Sequence, residues 1–246
     1  MHSPELGFNF HGNFVFLPHM AKNIIITIDG PAGSGKSTSA RLVAKNLGFT
    51  YLDTGAMYRA ITYLALKQNV IKDEASVVIL AEEARLELKF VDGKTGVILN
   101  GEDVTEAIRS YEVNSNVSEV SRIPGVRSAL VRKQQEIGKN TSIVAEGRDT
   151  GTVVFPEADV KIFLTASLSK RAQRRLREFQ EKGENLSLDE IEGNIRKRDL
   201  IDSSREVSPL TKAHDAVEID TSSITIEEEV ELILNRVRES INNKGN

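Results

Sequence analysis

Gly30-Pro31-Ala32-Gly33-Ser34-Gly35-Lys36-Ser37, followed by Thr38, decides how this chain is read. The stretch has P-loop spacing: a glycine, four free positions, then Gly-Lys-Ser/Thr. Upstream, Ile24-Ile25-Ile26-Thr27-Ile28-Asp29 is a short β-branched run, the pattern of a buried strand. Downstream, Leu42, Val43 and Leu47 are expected on one helical face, and Gly48 supplies a C-terminal cap. Glycines let consecutive N–H groups turn inward onto phosphate oxygens, and the helix N-terminus adds its partial positive charge there. Lys36 would hold the β- and γ-phosphates, and the Ser37 hydroxyl would be a Mg²⁺ ligand. The bland alternative is a chance glycine-rich turn. Strand, loop and helix in register argue against it, and they imply a nucleoside triphosphate site.

The 246 residues suit one α/β domain with insertions or two small domains. A formal net charge of −4 supplies no global attraction to nucleic acid or to an anionic membrane. With no cysteine, disulfides and thiolate metal sites are excluded, and the chain is expected in the cytoplasm. Four scattered histidines form no metal-ligand cluster. No apolar run reaches the roughly 20 residues that span a bilayer. Residues 1–20 carry phenylalanines without helical or strand period and lack the plan of a signal peptide. They are expected to be a poorly ordered leader or upstream extension, with the natural start near Met20 and the folded domain over 21–246.

Phe49 to Asp53 reads as a short strand, and Thr54-Gly55-Ala56-Met57-Tyr58-Arg59 opens a helix running to about Gln68. In an open parallel sheet, ligands sit beyond the carboxyl ends of the strands, which places Asp53 and Thr54 beside the P-loop. The plainest role for Thr54 is N-capping, and Arg59 could equally be a solvated surface charge. A helix from Asp73 to about Ala84 follows. Leu86, Leu88 and Phe90 then alternate with charged residues, Asp92-Gly93 makes a turn, and Val97-Ile98-Leu99 returns. This hairpin predicts a small antiparallel sheet inserted into an alternating chain. Residues 111–122 and 124–138 read as helices.

Ser142 to Ala145 is the next buried strand, ending in Glu146-Gly147-Arg148-Asp149. An Arg-Asp pair at the end of a core strand is costly unless it has a polar task, so a functional role is preferred to a mutual salt bridge tying down the loop. After the strand at 160–164, residues 170–177 hold five cationic side chains and no acid. Such a run is most often a solvated helix face, with RNA contact as a second reading. Ser187 to Glu190 has capping-box spacing, and on the helix it starts Arg198, Asp202 and Arg205 share a face. A last strand at 215–219 and a helix capped by Thr225 and Glu228 complete the chain, the helix carrying a stripe of Ile226, Val230, Ile233, Val237 and Ile241. The expected fold is α/β: a P-loop kinase core with a parallel sheet covered by helices on both faces, plus a small antiparallel insert and a short helical lid. The supply of arginines exceeds what a triphosphate alone needs, which points to phosphoryl transfer onto an anionic acceptor.

The P-loop GPAGSGKST, LDTGAMYR at 52–59, EGRDTGTVVFPEADVKIFL at 146–164 and RDLIDSSREVSPL at 198–210 together resemble the bacterial cytidylate kinase family of nucleoside monophosphate kinases. The resemblance runs from about Ile24 to the C-terminal helix. It implies a monophosphate-binding insert at about 85–110, a lid at about 168–205, and transfer of the γ-phosphoryl of ATP, with Mg²⁺, to CMP or dCMP. It further implies that Thr54, Arg59, Arg148 and Arg198 grip the CMP phosphate. Ser118, Arg127 and Asp149 would surround the cytosine, Tyr58 would lie along the base, and Asp202 would sit near the ribose. Arg174 and Arg205 would serve the lid and the transferring phosphates, with the roles of Arg174 and Arg175 open to exchange. Lys36, Arg148, Arg198 and Arg205 are the implied catalytic set. The expected partners are these small nucleotides, with no nucleic acid, no membrane and a monomeric chain. Thr54 stands where many relatives have serine, and Leu200, Ile201, Ser203 and Ser204 make the lid less charged than in some of them. Two other classes remain as alternatives: a P-loop kinase for UMP, AMP or shikimate, and a P-loop switch or RNA-binding module.

Overall fold

The β-branched run before the P-loop forms β1 (Ile25–Asp29), the centre of a five-stranded sheet. The structure, a computed structural model, describes residues 23–91, 94–181 and 183–244. The 1–20 leader and the Asp92-Gly93 turn lie outside the described residues. In chain order β1 is followed by α1 (Lys36–Leu47), β2 (Thr50–Asp53), α2 (Thr54–Lys67) and α3 (Glu74–Glu83). Next come β3 (Leu86–Val91), β4 (Lys94–Leu99), β5 (Glu102–Asp103), α4 (Tyr111–Val120) and α5 (Pro124–Asn140). The chain then forms β6 (Ile143–Gly147), β7 (Val160–Thr165), α6 (Leu168–Glu181), α7 (Leu188–Ser204), β8 (Val217–Asp220) and α8 (Ile226–Lys244).

The large sheet has the order β2-β6-β1-β7-β8, with every pairing parallel. Register brings the strand ends to one edge, since Asp29 pairs with Gly147 and with Phe163, and Asp53 pairs with Glu146. Alternation along the strands splits the apolar residues between two faces. Tyr51 and Val144 join Ile26, Ile28, Ile162, α1 and α8 on one side. Leu52, Ile143 and Ala145 join α2, α4 and α5 on the other. The hairpin forms a separate antiparallel sheet, β3-β4-β5, anchored on the second face through Val97 and Leu99.

Three local expectations need correction. Val43 is buried with Ala40 and Ala44, but Leu42 is 36% exposed. Successive helical residues diverge by about 100°, so two neighbours cannot both face the sheet squarely. The last strand begins at Val217 and not at Asp215, because 213–216 is a turn and the Asp215 carboxylate is drawn to the Lys161 ammonium at 3.0 Å. Thr54 is not the cap of α2. Asp53 is, its Oδ1 accepting from the Ala56 N–H at 2.8 Å.

The stripe of α8 allows a controlled test of core packing. Ile233 is fully buried whereas Leu232, one position away, is 49% exposed. Ile233→Ala is expected to lower stability by about 2–5 kcal/mol in urea denaturation, and Leu232→Ala by less than about 1 kcal/mol. Equal losses would contradict the burial assigned to this helix.

Candidate active site

The loop between β1 and α1 is fixed by backbone geometry first. Gly30 has φ +150°, and a Cβ there would stand 2.1 Å from the Leu164 carbonyl oxygen, so no other residue fits. Gly33 and Gly35 also have positive φ. The Lys36 ammonium is buried and donates to the Pro31 carbonyl at 2.7 Å. Burial, then the Arg148 guanidinium, push Lys36 down to about 7.

Beside the loop, strand ends supply a ring of acids and arginines. The Asp53 carboxylate that caps α2 also accepts from Arg59 at 2.9 Å, so Arg59 is engaged at the cleft and is not a freely solvated charge. The Thr54 hydroxyl donates to the Glu146 carbonyl at 2.7 Å. Arg148 and Asp149 do not pair with each other. Arg148 donates through Nε to Asp202 of α7 at 2.8 Å, whereas the Asp149 carboxylate accepts from Arg127 of α5 and lies 3.5 Å from Arg205. Burial alone would raise Asp202, but Arg148, Arg205 and Arg198 together outweigh it and hold the carboxyl below its ordinary value. The Tyr58 ring sits 5.2 Å from the Arg127 guanidinium, and burial pushes its phenol up to about 12. Arg198 differs from its neighbours. The Nε atoms of Arg59, Arg127 and Arg198 are all buried without a partner, but Arg59 and Arg127 pair with Asp53 and Asp149 through their other nitrogens, whereas Arg198 has no ion pair or hydrogen bond among the described residues. Burial, then Arg148, push the Arg198 guanidinium down to about 10.

Helices α6 and α7 pack on each other through Ala172, Ile191 and Ile195. The basic run is not simply a solvated face. Arg171 is buried and donates to the Ala32 carbonyl of the P-loop at 3.0 Å while pairing with Asp199 of α7 at 2.7 Å. Arg174 donates to the Gly33 carbonyl at 3.3 Å and the Thr221 carbonyl at 2.7 Å. Arg175 lies over Phe179 at 5.1 Å.

Two adjoining cavities result, of about 690 Å³ and 170 Å³. The larger is lined by Gly33, Gly35, Lys36, Ser37, Thr38 and Arg174 among the expected residues. Ala32, Thr54, Tyr58, Ser118, Arg127, Arg148, Asp149, Arg198, Asp202 and Arg205 line the smaller. Lys36, Ser37, Asp53, Arg59 and Arg175 line both, so the two cavities meet at the P-loop. Gly30, Pro31 and Ser34 line neither; they shape the loop from behind, Ser34 through a carbonyl that accepts from Thr221 at 3.0 Å. Four groups were not picked out as site residues from sequence. Asp29 accepts from Gly151 and Thr150, Glu146 accepts from the Tyr51 hydroxyl at 2.5 Å, Arg109 lines the large cavity, and Glu229 reaches in from α8. An acid at the end of an apolar strand is the signal that could have flagged Asp29 and Glu146.

A phosphate-cradling loop at the carboxyl edge of a helix-covered parallel sheet makes this an α/β P-loop kinase. The sequence profile described as Cytidylate kinase matches residues 26–239. Cytidylate kinase of Geobacillus sp. (strain WCH70) is 50% identical over 223 residues, covering 90% of this chain and 100% of that protein. Its counterpart in Bacillus licheniformis is 49% identical over 217 residues, covering 87% and 96%. That of Ligilactobacillus salivarius is 49% identical over 221 residues, covering 89% and 99%. The chain belongs to the cytidylate kinase family. Among the described residues no helix is long and apolar enough to cross a membrane.

Asp29 supplies a test at the centre of the site. Burial pushes its carboxyl from 3.8 up to about 6, against the opposing hydrogen bonds from Gly151 and Thr150. A raised folded value contributes stability below the unfolded one and loses it as pH rises through the folded one. The stability of the wild type minus that of Asp29→Asn should therefore fall by up to about 3 kcal/mol between pH 4 and pH 7. Denaturant midpoints across that range measure it, and a gap that stays flat would contradict the assignment.

Proposed function

We propose that the chain transfers the γ-phosphoryl group of ATP to CMP and dCMP, giving the diphosphates by direct in-line displacement. The observation that carries this reading is the pair of cavities meeting at Lys36 and Ser37, one running along the P-loop and the other lined by arginines. ATP occupies the larger cavity and the monophosphate the smaller. The antiparallel sheet with its flanking segment, about 85–110, acts as the monophosphate-binding insert, and about 168–205 acts as the lid. Turnover of an acceptor panel (CMP, dCMP, UMP, AMP and shikimate) with ATP tests it, and a preference for any acceptor outside the cytidine pair would overturn it.

Thr54, Arg59, Arg148 and Arg198 grip the acceptor phosphate. In support, Arg198 has a buried, partnerless Nε, a group that is costly to leave unmade and that an anion would satisfy. Tyr58 and Ser118 flank the base, Asp202 stands near the ribose, and Arg174 and Arg205 act on the transferring groups. Arg175 is the better candidate for spanning both substrates, since it lines both cavities while Arg174 is held by Thr221. A strong general base is not required, because the acceptor is already a phosphate oxyanion. The work is positioning and neutralisation of charge, and lid closure would keep water from the transferring group.

The donor atoms present suit Mg²⁺. Ser37 is an exposed hydroxyl at the start of α1 that lines the smaller cavity together with the Glu146 carboxylate, a set of hard oxygens. Mg²⁺ is commonly held by one or two protein oxygens together with substrate phosphates and water, which fits Ser37 as the direct ligand. The ion would neutralise charge on the transferring phosphates. With Arg171 and Arg174 turned inward, the basic run offers little for nucleic acid.

Lys36→Ala should lower kcat about 10²-fold or more with little change in CMP binding, because it removes charge at the transferring group. Near-normal turnover would remove the P-loop from the mechanism. Base choice gives a second test. Cytosine presents an amino donor where uracil presents a carbonyl, and a carboxylate accepts only from the former. Asp149→Ala should narrow the CMP-to-UMP ratio of kcat/KM by roughly 1–3 kcal/mol of lost discrimination. Losing Asp149 also frees Arg127 and Arg205, which would depress both substrates alike, so an unchanged ratio would leave it a purely structural anchor.

A further inference from the structure

Thr225 and Glu228 form a reciprocal cap at the start of α8, with N–H to side-chain distances of 2.8 Å and 3.2 Å. One residue on, the helix turns Glu229 inward, where it is 2% exposed. Its Oε1 accepts from the Ser39 hydroxyl, and Ser39 in turn lies 3.4 Å from the Gly35 carbonyl. Both carboxylate oxygens lie 3.2 Å from where a Cβ on Gly35 would stand. Glu229 is thus lodged against the last glycine of the P-loop, at the positive end of α1, whose N-cap offers no side chain of its own. It lines the large cavity beside Ile224, Ile226 and Arg174. Burial pushes the Glu229 carboxyl above its ordinary value, while the Ser39 hydrogen bond, Arg174 and Lys36 favour its charged form.

A structural tie between α1 and α8 would need only an acceptor for the Ser39 hydroxyl, which a neutral amide supplies equally well. The negative charge exceeds that need, and it stands where a helix N-terminus and two cations otherwise attract phosphate. We propose that Glu229 is a resident counter-charge that weakens binding of the donor polyphosphate. It competes with the incoming nucleotide for Lys36, Arg174 and the dipole of α1. The same repulsion acts on the product diphosphate and favours its departure, a step that limits turnover in many enzymes. The inference rests on reading the large cavity as the ATP site.

The test is calorimetric binding of ATP, ADP and CMP, each alone, at fixed ionic strength, to the wild type and to Glu229→Gln, Glu229→Met and Ser39→Ala. Both neutral variants at 229 should bind ATP roughly 3- to 10-fold more tightly, a Coulombic effect of one charge at close range in a hydrated cleft. ADP should gain less than ATP, and CMP should not gain. Ser39→Ala keeps the charge and should show no gain. Unchanged or weaker ATP binding in both neutral variants overturns the proposal. So does an equal gain for all three nucleotides, or the same gain from Ser39→Ala, since each would trace to pocket shape and not to charge. Failure of the donor-site reading is told apart by Lys36→Ala: if that variant binds ATP as the wild type does, the large cavity is not the donor site.

Discussion

Like-charge repulsion is the constraint on which this site depends. Arg59, Arg127, Arg148, Arg198 and Arg205 line one cavity, Arg171 is buried against the P-loop beside it, and all are largely withdrawn from water, where unpaired charges are expensive. Buried carboxylates make the arrangement tolerable. Asp53 neutralises Arg59, Asp149 serves Arg127 and Arg205 together, Asp202 holds Arg148, and Asp199 holds Arg171. Among the described residues Arg198 is the one of these six without such a partner, and it stands in the smaller cavity. The acceptor phosphate proposed above would supply the missing counter-charge.

The same pairs decide how the parts are joined. Arg148 and Asp149 end a core strand, yet their partners come from α7, α5 and the segment just after α7. Arg171 links α6 to a P-loop carbonyl and to α7 at once. Helices α6 and α7 have a small apolar cluster of their own, so their hold on the core is largely polar. Apolar contacts would fix one position, whereas ion pairs can be exchanged for contacts to phosphate at similar free energy. That kind of attachment suits the lid role proposed for α6 and α7.

The local part of this design was legible in the sequence. The P-loop, the strand ends and the capping pairs at Ser187 and Thr225 announce themselves within a few residues. What escaped reading was long-range pairing. Arg148 and Asp149 are adjacent in sequence, but their side chains part to partners 54 and 22 positions away. Arg171 sits in a run that looks solvated because charge alone does not reveal which face of the helix meets the P-loop. Glu229 follows two exposed glutamates, Glu227 and Glu228, and only the helical phase turns it inward. The cap of α2 went to Asp53 and not Thr54 because the Thr54 hydroxyl had a closer use, donating to the Glu146 carbonyl in the next strand.

Charge pairing could not work on a compliant loop. The P-loop path is set by a contact that no side chain can relieve: at Gly30 the backbone passes so close to the Leu164 carbonyl that any Cβ would overlap it. Leu164 belongs to β7, which is hydrogen-bonded to β1 in parallel register, so sheet pairing fixes the start of the loop. At the other end, Gly33 packs against the backbone of Arg171 and Gly35 against Glu229. Strand β7, α6 and α8 therefore each press on one glycine. The loop holds still because it is confined from three directions by backbone or buried groups, and the charges around it can rearrange without moving the amides that would cradle phosphate.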